Sequence, residues 1–162
     1  MEKNTVNYWL YEGSIVTLAP VLDRSVNILM FRDPEGMEYN ILVNRTWLDE
    51  DQTLEQFCEQ QINTMRNSLP AFEMDGKLLT HEIGPARLPV VQVSNRFLQD
   101  GKKFKQVQSL IKLPWHAIRN PANRAIIMFT LSTETEFTEF QRKHYVQVIN
   151  SFNPEATMLK NI

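Results

Sequence analysis

The stretch LPVVQVSNRFLQDGKKFKQVQSLIKL, Leu88 to Leu113, decides the fold. Two runs rich in Val, Ile, Leu and Phe flank Asp100-Gly101, and Asp-Gly between strand-like runs is the strongest short-range hairpin signal, because both central residues of a type I′ turn need φ > 0. The spacing predicts strands over Leu88 to Leu98 and Lys102 to Leu113. A two-residue turn makes opposite positions sum to 201, so Phe97 faces Phe104, Asn95 faces Gln106 and Val93 faces Gln108.

Working outward, Ser25 to Phe31 and Glu38 to Arg45 are further strand-like runs, and Asp33-Pro34-Glu35-Gly36 between them is turn chemistry. Lys77 to Ile83 and Arg124 to Ser132 read as strands, and Tyr8 to Tyr11 as a short opening strand before a Gly13 break and an irregular stretch to about Pro20. Thr53 and Gln56 have capping-box spacing, which opens a helix to about Ser68. Its apolar stripe is Leu54, Phe57, Cys58, Ile62, Met65 and Leu69. Thr138 and Gln141 repeat the signal for a second helix ending near Ser151. The expected fold class is α/β in the α+β sense: a single domain over residues 1–162 with a mainly antiparallel twisted sheet and two main helices.

The 162 residues carry 17 basic and 19 acidic side chains, a balance that lacks the positive field needed to hold nucleic acid or an anionic membrane. The five glycines are not at phosphate-loop spacing. One cysteine, Cys58, has no intramolecular partner, which fits a reducing compartment. The N-terminal residues lack the apolar core of a signal peptide, and the longest apolar run, Ala125 to Phe129, falls far short of a bilayer span. A soluble cytoplasmic protein without membrane insertion is expected.

No catalytic constellation emerges, and the reading is of a protein that is not an enzyme, with no metal and no cofactor. Cys58 sits on an apolar helix stripe without an evident base. His81, His116 and His144 are scattered, and are read as strand, loop and helix-surface residues. Asp49-Glu50-Asp51 is explained by the favourable field of a helix N-terminus. Lys102, Lys103 and Lys105 read as a solvated hairpin end.

The strands are unusual in being apolar on both faces. Val26, Ile28 and Met30 oppose Leu29 and Phe31, Leu42 opposes Ile41 and Val43, and Ile126 and Met128 oppose Ile127 and Phe129. Two helices stacked on one face would leave the other in need of a partner or ligand. The polar exceptions on that surplus surface are amides, Asn40, Asn44, Asn95, Gln106 and Gln108, with Gln61 beside the stripe of the first helix. An amide donates and accepts hydrogen bonds without the desolvation cost of a charge. Four or five strands about 4.8 Å apart make a sheet roughly 20 to 25 Å wide, and eight residues extend roughly 26 Å. That is room for one or two transmembrane helices of about 30 Å.

Tyr11-Glu12-Gly13, Ser25-Val26-Asn27-Ile28, Val43-Asn44-Arg45, Leu69-Pro70-x-Phe72, the Gly101 hairpin leading to Gln106 and Gln108, and Phe129-Thr130-Leu131-Ser132 occur in the order and spacing of a known domain. From Tyr8 to Pro154 the chain resembles the DcrB-like domain, of Mog1/PsbP-like type, in its Eag form: the chaperones encoded beside type VI secretion effectors. The resemblance implies a homodimer that holds the N-terminal transmembrane region of an effector, of PAAR or Rhs type, in a sheet groove before export. It places the apolar wall on Val26, Ile28, Leu42, Met65, Leu69 and Phe104. Hydrogen bonding falls on Asn40, Asn44, Gln61 and Gln108, with Gln106 beside them. Asn40 and Asn44 stand where relatives commonly have small serines. A binding module for a lipid or small apolar ligand is the competing reading, and it calls for a closed cavity rather than an open groove.

Overall fold

The computed structural model describes residues 4–154. Thr5–Trp9 (β1) and Ser14–Leu18 (β2) form a separate two-stranded hairpin. The main sheet is seven-stranded: Asn27–Arg32 (β3), Glu38–Trp47 (β4), Glu73–Met74 (β5), Leu79–Ile83 (β6), Leu88–Gln99 (β7), Lys102–Lys112 (β8) and Ala125–Thr133 (β9). Its order is β3-β4-β9-β8-β7-β5, with β6 also on β7 and every pairing antiparallel. The helices are Leu54–Ser68 (α1) and Glu139–Ser151 (α2).

The local signals act as their chemistry predicts. Phe97 pairs with Phe104, Asn95 with Gln106 and Val93 with Gln108, and Asp100 and Gly101 have φ of 52° and 78°, as the Asp-Gly turn requires. Thr53 and Thr138 each close a complete capping box, with Gln56 and Gln141 reaching back to the cap backbone. The opening strand lies over Thr5–Trp9 rather than Tyr8 to Tyr11. The stretch after Gly13 is not irregular, because Ser-Ile-Val-Thr-Leu forms β2.

The placement of the helices corrects the expectation that both would share one face. Tyr145 and Ile149 of α2 pack on Tyr39, Ile41, Val43, Ile127, Phe129 and Leu131. Leu54, Cys58 and Ile62 of α1 pack on the opposite side, against Val91, Val93, Leu110, Ile126 and Met128. The strands are apolar on both faces because each face receives a helix. Beneath α2, the Tyr145 hydroxyl donates to the Phe129 carbonyl at 3.0 Å and lies 2.7 Å from Ser109 Oγ, which accepts from Gln92 at 2.8 Å. With its only proton on Phe129, Tyr145 accepts from Ser109.

One helix is about 10–12 Å across, little more than two strand spacings of about 4.8 Å. On its face of the sheet α1 therefore covers β7, β8 and part of β9 but leaves β3, the start of β4 and the adjoining ends of β9 and β8 uncovered. A surplus apolar surface does exist. It is half of one face, beside a helix, rather than a whole face.

Candidate functional site: an uncharged groove beside helix α1

Register brings the predicted residues together. Ile28, Leu42, Thr130, Gln108 and Val93 form one continuous cross-strand row, and Met30, Asn40, Ser132, Gln106 and Asn95 form the next. A third row runs from Asn44 through Met128 and Leu110 to Val91, so Asn44 marks where the open floor passes under α1. Directly paired residues point to the same face. Phe104, two residues before Gln106, extends the floor toward the hairpin end, where it stacks on Phe97 at 5.7 Å. From Ile28 to Gln108 the floor crosses three strand spacings, about 14 Å, wide enough for one helix of about 10–12 Å.

Helix α1 forms the wall. Gln61 and Met65 lie one step around the helix from its buried Leu54, Cys58 and Ile62. With Trp47, Gln52, Phe57, Gln60 and Thr64 they border an open depression of about 430 Å³, and Asp49 is the one charged residue on its edge. Leu69 caps the C-terminus, its N–H donating to the Met65 carbonyl at 2.8 Å, and Val26 lies one residue before β3.

Two properties define the surface. The first is apolar exposure: Ile28 is 63% exposed, Met30 64% and Val26 49%. The second is unused hydrogen-bonding capacity. The side chains of Asn40, Asn44, Gln61, Gln106 and Gln108 make no hydrogen bond to any described residue, while Asn95, wholly buried, has neither its amide oxygen nor its nitrogen partnered. Asn95 is therefore not on the surplus surface where the sequence placed it, and lies under the covered end of the second row. No charged side chain occupies the open rows. Charges begin at the rim, where Arg32 meets Glu38 at 2.9 Å and Lys102 meets Glu134 at 3.7 Å.

A family model described as DcrB matches residues 12–151. The chain belongs to the DcrB family. Among solved structures it is similar to protein PA94 of Pseudomonas aeruginosa, a protein of unknown function, with a TM-score of 0.66 and 19% identity over 95% of this chain and 99% of that one. That likeness concerns the fold. No curated protein matches the chain.

Within this DcrB-family domain the sequence reading missed Thr130 and Ser132 as floor hydroxyls, and Trp47 and Phe57 as wall residues. Thr130 is itself buried and Ser132 half-buried, and their alternation with Phe129 and Leu131 was the available signal for the first pair. The second pair meets only in three dimensions, where Trp47 at the end of β4 and Phe57 of α1 line the same depression. Cys58 is buried, and that burial pushes its thiol up to about 11, so it is a packing residue. His144 is not the surface residue expected: its Nδ1 lies 2.8 Å from the Tyr39 hydroxyl and its ring stands edge-on to Phe31 at 4.6 Å. His81 lies exposed in β6, and His116 Nδ1 accepts from the backbone N–H groups of Ile118 and Arg119. Among the described residues no group of three or more His, Cys, Asp or Glu side chains could hold a metal ion. No described helix is long and apolar enough to cross a membrane.

Proposed function

We propose that this DcrB-family protein is a chaperone that shields the N-terminal transmembrane helices of a type VI secretion effector in the cytoplasm before export. The observation that carries the reading is the pairing of exposed Ile28 and Met30 and half-buried Leu42 with unbonded Asn40, Gln106 and Gln108 on a charge-free floor beside α1. A transmembrane helix in water exposes apolar surface all round, and a groove of protein substitutes for lipid on the side it covers. Burying roughly 1,000 Å² at about 25 cal/mol/Å² gives tens of kcal/mol gross, much of it offset by association and ordering. The amides add selectivity: they pair with Ser, Thr or exposed backbone at small-residue helix seams, where interhelical hydrogen bonds are worth about 1 kcal/mol each. A client driven by these terms leaves when a better apolar environment is offered, without nucleotide.

The surface from exposed Ile28, Met30 and Asn40 to half-buried Ser132, Gln106 and Gln108 is not an enclosed cavity, which supports a rod-shaped client over a small enclosed ligand. Co-expression with the N-terminal region of an effector encoded beside this protein tests the reading. The expected result is a soluble complex and a several-fold gain in the effector's soluble amount. Equal solubility with and without the protein sinks the proposal, and retention of a lipid in place of the effector would favour the ligand-binding alternative.

A further inference from the structure

The second cross-strand row does not stop at the open floor. It runs from Met30 through Asn40, Ser132, Gln106 and Asn95 to Met74 on β5. Four consecutive strands thus set an uncharged polar side chain on one line, whereas the neighbouring row holds Thr130 and Gln108 between Leu42 and Val93. Burial deepens along the line: Asn40 is exposed, Ser132 and Gln106 are half-buried, and Asn95 is wholly buried. None of the four makes a side-chain hydrogen bond to a described residue. The first three reach solvent. Asn95 does not, and both its Oδ1 and its Nδ2 are unpartnered. A buried donor and acceptor left unmet are costly, and an apolar side chain at that position would avoid the cost.

We propose that Asn95 is a specificity-determining residue at the inner end of the groove, where it pairs with an uncharged polar side chain of the bound segment. The inference rests on the chaperone reading of the groove. Asn95 is flanked in its row by Met74 and Gln106, both half-buried and both unbranched, so changes of rotamer there open a way to it while the ladders of β5, β7 and β8 stay intact.

The two orphan atoms define the chemistry of the occupant. Oδ1 accepts and Nδ2 donates, so the complement must do both: the hydroxyl of Ser or Thr, or the carboxamide of Asn or Gln. A charged side chain is rejected, because the row carries no counter-charge and an ion there would be desolvated without a partner. A wholly apolar helix leaves Asn95 as unmet as it is in the free protein. Pairing at Asn95 also differs from pairing at Gln106, which must first give up water, whereas Asn95 has none to give up. It therefore discriminates between segments of equal apolarity, which the apolar wall alone cannot do.

Binding titrations of the full chain against the N-terminal segment of the effector encoded beside it test the inference. Asn95→Leu should bind about tenfold more weakly, although it removes a destabilising group from the free protein. Asn95→Ala, which cannot overpack the site, should show the same loss. Replacing the Ser, Thr, Asn and Gln residues of the segment by Ala one at a time should give one variant that loses about tenfold against wild type and nothing further against Asn95→Leu. Equal capture by wild type and Asn95→Leu, or losses that add in full for every segment variant, would overturn this inference and leave the chaperone reading standing. Failure of the wild type to capture the segment would overturn both.

Discussion

Asn95 and Gln106 stand directly opposite each other on β7 and β8, both facing the α1 side of the sheet, and neither side chain has a hydrogen-bond partner among the described residues. Gln106 is half-exposed and can turn to water. Asn95 is 0% exposed and cannot. An unmet buried amide costs about 1–3 kcal/mol. Asn95→Leu, close in volume, should therefore raise the urea midpoint by an amount equivalent to about 1–3 kcal/mol, with an unchanged slope. A lowered midpoint would show that Asn95 is satisfied in solution.

The open row gives the second prediction. Gln108 lies between Thr130 and Val93, its amide unbonded, so Gln108→Leu removes a hydrogen-bonding group from the floor without breaking any contact within the chain. Loss of one interhelical hydrogen bond of about 1 kcal/mol corresponds to about fivefold weaker capture. Thermal unfolding should be unchanged or slightly raised. Capture equal to wild type in a pull-down titration removes Gln108 from the site.

Local chemistry made much of this fold legible. Asp100-Gly101 fixed the register that places Asn95, Gln106 and Gln108 on one face, and the threonine-glutamine pairs fixed both helix starts, because these signals act over a few residues. The opposite placement of the helices depends on non-local packing. Apolar residues on both faces of β4 and β9 are equally compatible with a helix on each face or with two helices on one. The amide-dotted floor was readable once register was known. The wall at Trp47 and Phe57, joined through the end of β4 and the flank of α1, was not.

Cys58 supplies a pH prediction. Burial lifts its thiol from 9.0 to about 11, with smaller contributions from Glu59 and Glu55. A raised native value means the unfolded chain releases its proton first. The contribution to stability is therefore full below pH 9.0 and is lost as pH rises toward about 11. Urea midpoints should fall over that interval for the wild type and less steeply for Cys58→Ala. Iodoacetamide at neutral pH should label Cys58 only in denaturant; rapid labelling of native protein would contradict its burial.

Gly84 is the glycine whose missing side chain the fold requires. It opens the turn between β6 and β7 at φ +71°, accepting from the Arg87 N–H at 3.1 Å, and a Cβ built there would stand 2.6 Å from the Phe152 carbonyl oxygen at the end of α2. Gly84→Ala must therefore meet both the left-handed backbone penalty of about 1–2 kcal/mol and a clash with backbone that has no side-chain rotamer to relieve it. Gly76, at φ +86°, has nothing within 4 Å of its position, so Gly76→Ala isolates the backbone penalty alone. At about 2–4 °C per kcal/mol for a chain of this size, Gly84→Ala should melt clearly below Gly76→Ala, which should itself melt a few degrees below wild type. Equal losses in the two variants would mean that the end of α2 moves aside freely, and the close seating of Phe152 on that turn would then contribute nothing to holding α2 on its face of the sheet.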